Sequence, residues 1–80
     1  MSALLQNEVY RMARPKSLSR HLRQARVSRG LSVASVAEEV GVTPSSVYHW
    51  ESGRCRPRND KLSAICKLLR VPLREALEMS

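Results

Sequence analysis

Arginine supplies most of the chemistry that this 80-residue chain offers. Arg54, Arg56 and Arg58 alternate through the stretch ESGRCRPRND, and Lys61 follows three positions later. Upstream, the span between Val9 and Ala37 holds Arg11, Arg14, Lys16, Arg20, Arg23, Arg26 and Arg29 and no acid. Fourteen Lys and Arg against seven Asp and Glu leave a formal net charge of +7. A surface of that sign attracts polyanions. Nucleic acid, anionic membranes and acidic proteins all qualify, so charge alone selects none of them.

The other reactive side chains do not assemble into a reaction centre. The chain has no carboxylate pair, no nucleophile–base set and no phosphate-cradling glycine loop. His21, His49, Cys55 and Cys66 lack the close paired spacing of zinc ligands. The expectation is a non-enzyme with no cofactor and no metal. MSALLQNEVY lacks the basic start and apolar run of a secretory signal, and no stretch approaches a membrane span. Two cysteines in that context read as reduced thiols in a cytoplasmic protein. Cys66 falls on an apolar helix face and reads as packing. Arg54 and Arg56 flank Cys55 and favour its thiolate, which leaves a redox-sensing role open beside a plain exposed thiol.

Helices must position these groups, and apolar spacing predicts five of them with no strand pattern: an all-α domain over residues 18–80. Eighty residues suffice for one small core. Helix one is expected from Leu18 to about Arg29, capped by Ser17 and stopped by Gly30, with Leu18, Leu22 and Ala25 buried. Arg20 and Arg23 lie away from that stripe, and His21 is expected at the surface or half-buried. Helix two starts after Ser32, buries Val36, Ala37 and Val40, and ends at Gly41, leaving Glu38 and Glu39 on a solvated face. Helix three starts with Thr43 as cap and Pro44 at the first helical position, and turns Val47 and Trp50 inward. Ser45, Tyr48, His49 and Ser52 therefore point elsewhere, and Trp50 reads as core rather than as a stacking platform. Gly53 ends that helix. Helix four, near Asp60 to Leu69, buries Leu62, Ile65, Cys66 and Leu69, and a last short helix after Pro72 offers Leu73, Ala76 and Leu77. Helices two and three, about three residues apart with a Gly in the turn and Ala37 at the crossing, make a helix-turn-helix. That unit is best known for placing its second helix in the major groove of DNA.

Residues 22–77, about 70% of the chain, closely resemble the Cro and phage-repressor type of helix-turn-helix domain, a compact five-helix lambda-repressor-like fold. Several signals carry the resemblance in register: LRxxR before GLS, the VAxxVGV centre, the SVxxWExG close, the Pro of the basic loop and the terminal LxxAL. Each is weak alone, and together at these spacings they are highly specific. The resemblance implies a salt bridge between Arg26 and Glu51, tying helix one to the end of helix three. It also implies base-reading positions at Thr43, Pro44, Ser45 and His49, with Tyr48 near the edge of the groove. Two positions depart from many relatives. Pro44 replaces a long polar side chain and offers no donor, although it can touch a thymine methyl. Val33 replaces a Gln that meets a phosphate, leaving the helix-two backbone amides beside Ser32 for that contact. The remaining phosphate contacts are expected from Arg23, Arg54, Arg56, Arg58 and Lys61.

The resemblance therefore implies a sequence-specific double-stranded DNA-binding transcriptional regulator, a repressor, that inserts residues 44–52 in the major groove of its operator. Relatives usually bind as dimers on near-palindromic sites, so a homodimer is expected, its surface within Val71 to Met79 or on the N-terminal arm. With no second domain for a ligand, control is expected from protein level, a partner protein or proteolysis. The alternative is a protein-interaction module, such as an antitoxin or co-regulator, using the same fold toward a protein partner. Residues 1–17 read as a basic N-terminal arm whose Leu5, Val9 and Met12 suit a short amphipathic helix ended by Pro15. A frayed tail, a DNA-wrapping arm carrying Arg11, Arg14 and Lys16, and a dimer contact all stay open for it.

Overall fold

Side-chain oxygens start three of the five helices found among the described residues, 17–79, of the computed structural model. The Ser17 hydroxyl accepts from the Arg20 backbone N–H at 3.4 Å ahead of α1 (Leu18–Ser28). Ser32 accepts from the Ser35 N–H at 3.0 Å ahead of α2 (Val33–Val40), and Thr43 from the Ser46 N–H at 3.4 Å ahead of α3 (Pro44–Ser52). Each bond satisfies one of the N–H groups that a helix start leaves without an internal partner. The last two helices, α4 (Asn59–Leu69) and α5 (Leu73–Glu78), have no side-chain cap bond, and instead carry Asp60 and Glu75 in their first turns. A negative charge there complements the positive end of the helix dipole. The expected N-terminal arm, Ser17 apart, lies outside the described residues.

Gly41 is what allows α3 to follow α2 so closely. Its φ of 81° lies in the left-handed region, which only glycine enters without strain. In that conformation the N–H groups of Gly41 and Val42 both donate to the Ala37 carbonyl, at 2.8 and 2.9 Å, and the chain turns sharply into the next cap. Only residues 41–43 separate the two helices.

Every helix sends at least one wholly buried side chain to a single core: Leu22 from α1, Val36 from α2, Val47 from α3, Leu62 and Ile65 from α4, Ala76 from α5. Helix α3 packs against both α1 and α2, α4 lies under α1 and α2, and α5 packs on α4. One residue sits deeper than expected, and a second joins the core with no burial expected of it either way. His21, expected at the surface or half-buried, is buried, because it falls at i+3 from Leu18 on the same face as Leu22. Val33 is also buried, completing an i, i+3, i+4, i+7 stripe with Val36, Ala37 and Val40. Ala25 is only partly buried at the rim. Burial pushes the Cys66 thiol above its ordinary pKa, with nearby Arg56 opposing, so Cys66 behaves as an apolar core residue. No described helix is long and apolar enough to cross a membrane.

One ion pair fixes α3 to α1. Arg26 Nε donates to Glu51 Oε2 at 2.7 Å and Nη2 to Oε1 at 3.0 Å, while Nη1 donates to the Leu31 carbonyl at 2.8 Å. This is the forked guanidinium–carboxylate geometry, with the third nitrogen holding the α1–α2 connection. The side chains are only 15% and 7% exposed. The Glu51 hydrogen bond raises the Arg26 pKa against an opposing burial effect, so the cation persists at any ordinary pH. Removing either partner leaves the other charge half-buried without its counter-charge. Glu51→Ala is therefore expected to destabilise the domain by about 3 kcal/mol, the low end for breaking a buried pair. Arg26→Ala on top of it should cost much less than its own single-variant loss. Urea unfolding of the four proteins checks this, and additive losses would show that the pair carries no coupling.

Candidate nucleic-acid interface

The outer face of α3 is polar, uncharged and uncovered. Thr43, Pro44, Ser45, Tyr48 and Ser52 are exposed, with Tyr48 at 60%, while Val47 and Trp50 on the opposite face are buried. Pro44 belongs at the first helical position, where a missing N–H costs nothing. Thr43 faces solvent too, but its hydroxyl is engaged by the Ser46 amide. Hydroxyl groups in this setting act as donors or acceptors toward base edges. Glu51 is the sole acid between Glu39 and Asp60, and Arg26 holds it. No carboxylate on α3 therefore repels an approaching phosphate.

His49 is half-buried rather than fully exposed. It sits one residue beyond the outer stripe, and the following loop folds back over its turn. The Arg54 and Cys55 N–H groups donate to the His49 carbonyl at 3.0 and 3.4 Å, helped by Gly53 at φ 79°. This return places the basic loop directly at the end of α3. The base-reading candidates Thr43, Pro44, Ser45 and Tyr48 thus share one face, with His49 at its margin and Arg54 beside it in the chain.

The basic residues divide into two groups. Arg23, Arg54 and Arg58 are exposed, and none makes a side-chain hydrogen bond to another described residue. Others are anchored to carbonyls at helix C-terminal ends, where the dipole is negative and the ladder of helical bonds runs out. Lys61 Nζ donates to the Val40 carbonyl at 3.4 Å, at the end of α2. Arg29 Nε donates to the Leu69 carbonyl at 2.8 Å, at the end of α4. Arg56 reaches both the Ala76 carbonyl, at 3.1 Å, and the Met79 carbonyl, at 2.6 Å, at the end of α5. Sequence reasoning missed this second role, and nothing in the chain signals it, because each acceptor is a backbone oxygen 20 or more positions away.

Ser32 stands at the exposed start of α2, its hydroxyl occupied by the Ser35 amide and hydroxyl. Val33, turned into the core, offers the surface nothing, in keeping with the loss of a side-chain phosphate contact at that position. Among the described residues no group of three or more His, Cys, Asp or Glu is placed to hold a metal ion.

Solved structures similar to the chain include three regulators. The P22 c2 repressor, solved with the synthetic operator 9T, superposes with a TM-score of 0.75 over 82% of this chain and 100% of that one, at 21% identity. At that identity the likeness is one of fold. PlcR of Bacillus thuringiensis, solved with the peptide PapR7 and DNA, gives a TM-score of 0.73 at 29% identity over 81% of this chain, which spans only 23% of PlcR. ClgR of Corynebacterium glutamicum, a clp gene regulator, gives 0.70 at 26% identity over 78% of this chain and 66% of that one. No curated protein sequence is significantly similar to the chain. A family model described as a helix-turn-helix domain matches residues 17–79. With that match spanning all five helices, the chain belongs to the helix-turn-helix domain family.

Proposed function

We propose that this protein is a DNA-binding transcriptional regulator, and more specifically a repressor that recognises its operator with α3 in the major groove. The observation that carries the reading is the uncovered, carboxylate-free polar face of α3 with Arg54 at its end. Family membership and the DNA-bound states of the P22 c2 repressor and PlcR support it. In this reading Ser45 and His49 hydrogen-bond base edges, Pro44 and Tyr48 make apolar contact, and Thr43 acts through its position at the helix start. Arg23, Arg54 and Arg58, with the α2 amides beside Ser32, neutralise phosphates. Only one short helix reads bases, so two copies on a two-fold site are needed for useful specificity. The second copy would meet the first through α5, whose Leu73 and Leu77 are 39% and 52% exposed. Acting on DNA in this way places the protein at the nucleoid.

A protein-interaction role, as in an antitoxin or co-regulator, is the competing reading, and Tyr48 beside Pro44 on the same face is the observation that favours it. The two readings separate on salt. For the DNA reading, Arg54→Ala should weaken binding to all duplexes alike and lower the slope of log K against log salt by about one unit, as one phosphate contact is lost. A slope equal to wild type would remove the loop from the interface.

Specificity is tested by selecting bound duplexes from a random pool with wild type and with His49→Ala. The wild-type motif should show two inverted half-sites about one helical turn apart. The variant should lose preference at one or two positions in each half, worth about 1–3 kcal/mol apiece. An identical motif would refute the His49 assignment, and failure to enrich any motif would favour the protein-partner reading.

A further inference from the structure

Arg56 belongs to the loop on which DNA contact is proposed, yet its guanidinium points at the body of the protein. It donates to the carbonyls of Ala76 and Met79, at 3.1 and 2.6 Å, and so closes the last turn of α5. Its charge lies near the buried Cys66 thiol of α4. Pro57, next in the chain, is buried as well. Ala76 is wholly buried and Met79 packs against the core, so the acceptors are held on both sides. By contrast Arg54 and Arg58, two positions away on either side, make no side-chain bond to another described residue. Within one stretch of alternating arginines, all three exposed, only the middle one bonds back to the body of the protein.

We infer that Arg56 is a positioning residue: it struts the basic loop against the end of α5, so that Arg54 and Arg58 are presented to phosphate while Arg56 itself contacts none. The chemistry favours this division. A planar guanidinium can donate to two carbonyls at once, and these bonds to a charged donor are stronger than neutral ones. Moving Arg56 to a phosphate would strip α5 of both. Because α5 is only six residues long and has no side-chain cap at its start, it depends on contacts made at its far end. The strut also joins the DNA-contacting loop to the helix proposed for self-association, so loosening either end is felt at the other. The inference rests on the DNA-binding reading for its consequence at phosphate, but the strut itself does not.

Arg56→Lys and Arg56→Ala, compared with Arg54→Ala, test it by two measurements. The first is native-state hydrogen exchange at the Ala76 and Met79 amides, both of which donate within the chain. Exchange should quicken by roughly tenfold in both Arg56 variants, because an ammonium on a Lys stem cannot bridge two carbonyls. It should stay at the wild-type rate in Arg54→Ala. The second is the salt dependence of binding to a random-sequence duplex. Arg56→Lys and Arg56→Ala should keep the wild-type slope and lose affinity by a similar factor, whereas Arg54→Ala lowers the slope by about one unit. If Arg56→Lys restores both affinity and slope and Arg56→Ala lowers the slope, Arg56 is a phosphate ligand and the inference fails. If Arg56→Ala does not fold, Arg56→Lys decides the matter in both assays. Should no variant or wild type bind duplex at all, the DNA-binding reading falls, while wild-type exchange rates in the Arg56 variants would still overturn the strut.

Discussion

The Arg26–Glu51 pair is the interaction on which the outer geometry of this domain depends. Helix α3 has few ways to be held in place. It is nine residues long, and only Val47 and Trp50 are buried from it. Apolar contact with two side chains resists separation but does little against rotation or sliding, because hydrophobic attraction has no direction. A forked ion pair at the last turn of α3 supplies that direction, and the third guanidinium nitrogen carries the same constraint to the loop before α2. The orientation of Ser45, Tyr48 and His49 toward solvent follows from this clamp together with the Gly41 turn at the other end of α3.

The clamp also clears the electrostatic field. By absorbing the only carboxylate of α3, Arg26 turns a helix that would carry net negative charge into a neutral one flanked by cations. The same economy runs through the other basic residues. Arg29, Arg56 and Lys61 close helix ends by donating to backbone carbonyls there. Part of the +7 charge is therefore architectural, and Arg23, Arg54 and Arg58, exposed and not tied to carbonyls, are the part proposed to meet a polyanion.

Much of the fold is legible in the chain because its signals are local. Ser17, Ser32 and Thr43 as caps, Gly41 and Gly53 as left-handed stops, and the buried stripe of α4 all follow from spacing within a few residues. The burial of His21 runs against its expected place at the surface or half-buried, although the same periodicity contains it, and Val33 is buried with no expectation either way. Each lies three positions from a residue assigned to the core, and for His21 polarity outweighed phase. Arg26 and Glu51, 25 positions apart, could be paired only through the family resemblance, since no local rule links them. The carbonyl partners of Arg29, Arg56 and Lys61 left no trace at all, because a backbone oxygen has no sequence identity. At the candidate site the exposed face of α3 was readable from helical phase, while the division of the loop arginines between solvent and carbonyls was not.

If the outer face of α3 meets duplex DNA, its backbone amides respond when duplex is added. Titrating isotopically labelled protein with a short duplex and following every backbone amide by NMR tests it most directly. Changes concentrated at Thr43, residues 45–49 and Arg54 are the predicted result, with any change at Leu73 and Leu77 reporting the second copy. Changes confined to α1 or α5, with the α3 amides unmoved, would contradict the account.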